Sequence, residues 1–221
     1  MRWPRAPAAL LVAQQELAGL RPEPWSLPGA DLPLGGCFVC FAPGRGWERA
    51  WAAAVLMRPG REPVETVIGG RAGAAYTPGL LALREGPLLE EAVRALPAAP
   101  GVLLVNATGL DHPRRAGLAL HLGAALDLPT VGVTDRTLVA SGALPGPAAG
   151  ASSPLVLGGD VVGFWLRTRA GVRPVAVHAA WRTDPRTAVD VVRRAPGRMR
   201  TPGPIRLARR AARRARADAL G

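Results

Sequence analysis

Apolar positions change their spacing along the chain in an order that predicts its elements. Residues 6–20, APAALLVAQQELAGL, read as an amphipathic helix. Three short apolar runs follow at 36–41, 50–57 and 63–68, spaced as a meander of strands. A helix is expected around 87–96, then a strand at 102–105, a helix near 115–126 and a strand at 130–133. A strand pair over 155–167, a strand at 175–178 and two helices, the last over about 203–218, complete the pattern. Stretches 142–154 and 196–204 are rich in Pro, Gly, Ala and Ser and read as irregular. Three antiparallel strands followed by alternating helices and strands predict an α/β protein, a mixed sheet with helices on both faces. Ligands on such sheets bind where strand carboxyl ends meet a change of direction. That rule places Asn106, just after the strand at 102–105, at the expected site.

Length and composition narrow the class. With 221 residues, 48% of them hydrophobic, the chain can bury one sizeable core, and residues 1–221 are expected to form a single domain. Its apolar runs fall well short of the roughly 18–20 residues that cross a bilayer. The start, MRWPRAPAALLVAQQELAG, turns polar too soon for a signal peptide. A cytoplasmic protein with no membrane partner is expected. Cys37 and Cys40 form a C-x-x-C, but the surrounding GGCFVCF reads as a strand, where residues three apart face opposite sides, so both are expected to be small buried hydrophobes.

Charge adds a partner. The net charge is +12 and every basic residue is arginine. Residues 193–216 hold ten arginines and no acid, which leaves 18 basic against 16 acidic residues elsewhere. Arg206, Arg209, Arg210, Arg213 and Arg214 recur at three- and four-residue steps, one face of a helix. Such a stripe suits a phosphate backbone, so nucleic acid, DNA or RNA, is the expected partner. A solvated helix in an arginine-biased genome is the plainer alternative.

Two segments carry candidate chemistry. In VNATGLDHPRR a short strand, a glycine-bearing turn and a helix start succeed one another, and the strand's carboxyl end suits a metal-holding carboxylate, yet Asn106 stands there. In YTPGLLALREGP, Tyr76, the sole tyrosine, sits on a Pro-Gly turn as an exposed aromatic able to wedge into a base stack. Glu85 either opens the next helix as a favourable amino-terminal charge or serves as a metal ligand. His112 reads equally as a helix-start residue or a pocket group, and His121 as core.

YTPGLLALREGP, NATGLDHPRRAGLALHLG and LPTVGVTDRTL together resemble the endonuclease V family in order and spacing, and the likeness extends to LVAQQELAG and TPGPIRLARRAARR. The resemblance implies a ribonuclease H-like fold and magnesium-dependent cleavage of nucleic acid near deoxyinosine or inosine. It implies a wedge and base pocket at Tyr76, Pro78, Gly79, Leu81, Gly109, His112 and Gly117, with Ala107 where the family has glycine and Arg114 among the phosphate-binding residues. The family's catalytic positions depart from its pattern. An aspartate on the first strand falls at Phe38, the aspartate before the glycine turn at Asn106, a lysine at Asp135, the acid or histidine of the last helix at Arg209, and a Gly-His pair at Ala180-Trp181. Glu85 alone is retained. Two-metal hydrolysis needs several carboxylates to neutralise the ions, so the expectation is a nucleic-acid-binding protein with hydrolysis lost. No cofactor is then expected, with magnesium or manganese required if activity persists and Glu85 and Asn106 as the remaining metal positions. Two alternatives stay open: a rewired nuclease using Glu85, Asp135 and Asp31, and a fold turned to another ligand or protein partner.

Overall fold

A computed structural model describes residues 3–20, 22–29, 31–44, 48–197 and 199–221; Arg198 of the arginine-rich stretch lies outside them. The elements run α1 (Pro7–Gly19), β1 (Leu34–Phe41), β2 (Arg49–Met57), β3 (Val64–Arg71), α2 (Leu81–Arg94), β4 (Val102–Val105), α3 (Leu118–Leu126) and β5 (Thr130–Thr134). They continue with β6 (Ser152–Leu157), β7 (Asp160–Leu166), β8 (Val175–Ala179), α4 (Pro185–Arg194) and α5 (Gly203–Leu220). All eight strands join one mixed sheet of order β3-β2-β1-β4-β5-β8-β7-β6. β1, β4 and β5 are parallel to one another, and the remaining pairings are antiparallel.

The central strands are buried on both faces, which is why β4 reads as the unbroken apolar run VLLV. α1, α2 and α3 cover the face carrying Cys37, Val39, Leu103 and Val105. α4 and α5 cover the opposite face, over Leu104, Val131, Cys40 and Val55. Cys37 and Cys40 are free, buried and on opposite faces, as a strand requires. Small residues Ala208, Ala211 and Ala212 let α5 lie close on β1 and β2. Its start comes so near that a Cβ at Gly36 would stand 2.3 Å from the Pro204 carbonyl carbon. Asp184 caps α4 by accepting from the Arg186 and Thr187 N–H groups, and Pro185 opens the first turn. Among the described residues, no helix is long and apolar enough to cross a membrane.

Three boundaries differ from expectation for local reasons. α2 begins at Leu81, six residues before the expected start, so Pro87 lies inside it. Pro87 lacks the N–H that would bond the Leu83 carbonyl four residues earlier, and in the same turn the Arg84 carbonyl accepts the Gly73 N–H at 3.1 Å. Glu85 is therefore a helix-interior residue and not an amino-terminal charge. α3 begins at Leu118 because Arg115 adopts a left-handed conformation with φ 53°. β6 begins at Ser152, inside the expected irregular stretch, by pairing with β7.

Candidate nucleic-acid interface

Parallel pairing sets Cys37 beside Val105, so Phe38 and Asn106 stand side by side where β4 ends. Arg209 reaches this point from α5. Its guanidinium carbon lies 5.0 Å from the centre of the Phe38 ring, and Nη2 donates to Asn106 Oδ1 at 3.5 Å. Its Nε is buried and has no acceptor among the described residues. Burial, then Arg213 and Arg200, lower the guanidinium pKa, while Asp135 opposes them. A cavity of about 190 Å³ opens beside the pair, lined by Cys37, Phe38, Tyr76, Leu81, Glu85 and Asn106. Burial pushes the Glu85 carboxyl up to about 8, with Arg84 pulling the other way.

The structure thus gathers Phe38, Asn106, Glu85 and Arg209, and leaves two candidate acids aside. Asp135 does not join Glu85: it is exposed and pairs with Arg200 at 2.5 Å. Asp31 is exposed ahead of β1. Neither lines this cavity.

A second cavity of about 150 Å³ adjoins the first, lined by Gln14, Gly79, Ala107, Thr108, His112 and Leu138 among others; Tyr76, Leu81 and Asn106 face both. Tyr76 is 65% exposed at the shared rim, as a wedge would be. The Gly79 carbonyl organises one wall. It accepts from Gln14 Nε2 at 3.1 Å, His112 Nε2 at 3.1 Å and Arg114 Nη2 at 3.0 Å, and the turn's φ of +77° requires a glycine. His112 Nδ1 in turn accepts the Arg114 N–H at 3.2 Å, so the ring is the neutral Nε2–H tautomer with both nitrogens engaged. Burial holds its pKa down to about 4. His112 is therefore at once a pocket wall and a brace for the turn. Arg114, expected at phosphate, instead donates Nε to Gln14 Oε1 at 2.7 Å and ties α1 to this wall.

Pro78, Gly109 and Gly117 do not line the cavity. The two glycines shape it indirectly. A Cβ at Gly109 would meet the Ala179 carbonyl oxygen at 2.1 Å, and one at Gly117 the Thr108 carbonyl oxygen at 2.3 Å. Ala107 does line it, its methyl group buried at the wall.

Three contributors escaped the sequence reading: Gln14, Asp111 and the His178–Thr134 pair. Asp111 is fully buried and accepts from the Leu138, Val139 and Ala140 N–H groups at 2.8, 2.9 and 2.7 Å, fixing the loop that brings Leu138 to the pocket. Thr134 gives its hydroxyl proton to the Arg136 carbonyl at 2.6 Å, so His178 Nε2 donates to Thr134 Oγ1 at 2.7 Å. His178 Nδ1 then lies 3.6 Å from Asp111 Oδ2. No local pattern marks such partners, 27 to 100 residues apart.

The arginine stripe divides. Arg206, Arg210, Arg213 and Arg214 are exposed on α5, whereas Arg209 is half-buried against the sheet. Arg214 is also not free of acids, because it pairs with Glu65 on β3.

This sheet order, with helices on both faces and the site where β4 ends, is the ribonuclease H-like arrangement. Residues 33–210 match the endonuclease V sequence profile. Endonuclease V of Azotobacter vinelandii is 37% identical over 214 residues, 96% of each chain, and that of Methanopyrus kandleri 42% identical over 180 residues, 79% of this chain and 78% of its own. The crystal structure of Streptomyces avermitilis endonuclease V superposes with a TM-score of 0.89 at 35% identity, covering 99% of this chain and 96% of that one. The catalytic domain of human endonuclease V gives 0.87 at 29% identity, covering 98% and 99%. A Ciona intestinalis endonuclease V, solved in complex with a 23mer DNA containing an inosine followed by a ribo-adenosine, shares the fold with a TM-score of 0.82 at 21% identity, covering 96% and 97%. The chain belongs to the endonuclease V family.

The residues at the strand ends do not fit the magnesium that the resemblance implies. Phe38 has no donor atom, the Asn106 carbonyl is neutral and already faces Arg209, and the Arg209 guanidinium would repel a cation. Glu85 is the one carboxylate lining the cavity, and among the described residues no group of three His, Cys, Asp or Glu could hold a metal ion. Magnesium demands near-octahedral oxygen ligation and dehydrates reluctantly.

Proposed function

We propose that this chain, acting as one unit over residues 1–221, binds nucleic acid through the pocket behind Tyr76 and the exposed face of α5, with inosine or a similar deaminated base as the base it recognises, and that metal-dependent phosphodiester hydrolysis has been lost. The observation that carries the loss is the Arg209 guanidinium, placed between the Phe38 ring and the Asn106 amide where a hydrolytic site would need carboxylates. The binding half rests on the pocket's intact walls, on Tyr76 at its rim and on family membership. Hydrolysis at neutral pH needs a metal-activated water or an equivalent base and a means of neutralising the developing phosphorane charge. Of these the site retains an arginine and a carboxyl group that burial keeps protonated near neutrality.

The test is incubation of single- and double-stranded DNA and RNA, each with and without one inosine, with pure protein in magnesium or manganese. No cleavage is expected. Metal-dependent nicking next to inosine that disappears in Glu85→Ala would overturn the proposal.

The tail supplies a quantitative expectation. Arg206, Arg210 and Arg213 are exposed on α5, and affinity should fall with salt by a slope of about 0.7 to 0.9 per phosphate neutralised. Three engaged arginines predict a log–log slope of roughly −2 to −3 in fluorescence anisotropy. The triple alanine variant at these positions should lose most of that slope and keep its preference for inosine, since phosphate contacts position a ligand without reading its sequence. An unchanged slope in the variant would exclude α5 from the interface.

A further inference from the structure

The misfit between this site and a divalent cation has a positive side, because the same residues suit an anion. Arg209 is half-buried, and among the described residues its side chain makes one hydrogen bond, a long one to Asn106, and its Nε–H faces no acceptor. A desolvated guanidinium without an ionic partner is costly, and its planar fork of donors matches phosphate oxygens in a bidentate pair. Arg213, one turn further along α5, and Arg200, which is bonded to Asp135 and to the Arg173 and Pro174 carbonyls, add to the positive potential around it. The opposing carboxylate is Asp135, which Arg200 engages at 2.5 Å. The base pocket adjoins directly, since Asn106 lines it and also receives the Arg209 contact. A nucleotide whose base enters behind Tyr76 would thus present a flanking phosphate to Arg209.

We infer that the strand-end site is an anion site, in which Arg209 holds directly one phosphodiester linkage flanking the pocketed base, with no metal ion between and with Arg200 and Arg213 adding positive potential around it. The inference rests on the nucleic-acid-binding reading above and specifies which linkage chemistry the site takes. Arg209 binds the phosphate while the Phe38 ring fixes the guanidinium plane and Asn106 its orientation. Asp135 moderates the cluster, so Asp135→Asn should tighten binding.

The experiment is anisotropy of a labelled inosine-containing single strand against the full chain, in magnesium and in EDTA. A neutral methylphosphonate is walked one linkage at a time past the inosine. Equal affinity is expected in the two buffers, with one flanking linkage at which neutralisation weakens wild type roughly tenfold. Arg209→Gln should weaken the unmodified strand by a similar factor, lower the salt slope by about one and no longer respond at that linkage. Arg209→Lys, which keeps the charge, should recover part of the affinity. Dependence of binding on magnesium, or the same small loss at every linkage in wild type, overturns the anion site while leaving nucleic-acid binding in place. So does a folded Arg209→Gln that still responds at the flanking linkage. Failure of wild type to bind any strand in either buffer overturns the underlying reading and this inference with it.

Discussion

Asp111→Ala is expected to lower stability by about 3 kcal/mol and to unfasten the pocket wall at Leu138, because three backbone N–H groups lose their acceptor at once. The three bonds span 2.7 to 2.9 Å and fall on both carboxylate oxygens, Oδ1 taking Val139 and Ala140 and Oδ2 taking Leu138. Leu138 and Val139 are themselves 40% and 42% exposed, so water would replace part of what is lost and the cost stays below that of three fully buried orphans. Asp111→Asn should cost less. Its carbonyl oxygen still serves Val139 and Ala140, and its amide opposes only the Leu138 N–H. Urea denaturation gives the stability change, and hydrogen exchange gives its location. The amides of residues 138–140 should lose protection in Asp111→Ala while those of β4 and β5 keep theirs. A variant within 1 kcal/mol of wild type, with those amides still protected, would show that the loop is held by something other than this carboxylate.

The clamp also shows where sequence reasoning ran out. Strand positions were legible because central strands are continuous apolar runs and flanking helices repeat every three or four residues, and both signals are local. Phe38, Asn106 and Arg209 could be matched to a family pattern one by one, but that a guanidinium packs on the ring and donates to the amide depends on α5 folding back across β1. The same limit hid Gln14, one of two glutamines in a polar-looking run, whose side chain is 1% exposed and bridges Arg114 and Gly79. Asp135 failed in the opposite sense. Its place in the chain brought it near the site, and an arginine 65 residues later turned its carboxylate to the surface. The late start assigned to α2 came from reading Pro87 as a first-turn residue, its commonest helical position. The helix instead opens at Leu81, with Leu80 as its cap, which leaves the proline in its interior.

Stability should pass through a maximum near pH 6.5 and fall steeply on the acid side, because all three histidines are buried in the neutral form. Burial holds His112 and His121 down to about 4 and lowers His178 in the same direction against the pull of Asp111. Their ordinary value is 6.5. A histidine depressed on folding contributes stability that is fully present above that value and is lost as pH falls toward the folded one, since the unfolded chain takes up protons the native state refuses. Glu85 works against this. Raised on folding from 4.5 to about 8, it holds a native-state proton through the same window, and stability from this group is present at low pH and lost as pH rises through 8. Between pH 6 and 5 the histidines outweigh it by between one and two protons, which predicts a loss of roughly 2 kcal/mol per pH unit. Against a total stability of roughly 5 to 15 kcal/mol, that slope brings unfolding within reach near pH 4 to 5. His121 offers the cleanest test. Both its ring nitrogens are buried and find no hydrogen-bond partner among the described residues, and its ring stacks on Trp3 at 4.4 Å and 18°. His121→Phe keeps the stacked ring and removes the titrating group, so the acid slope should fall by about half. Urea unfolding at half-unit steps from pH 5 to 8 measures both slopes. A wild-type stability that is flat from pH 6.5 to 5, or a His121→Phe slope equal to that of wild type, would mean that the buried imidazoles do not govern acid stability.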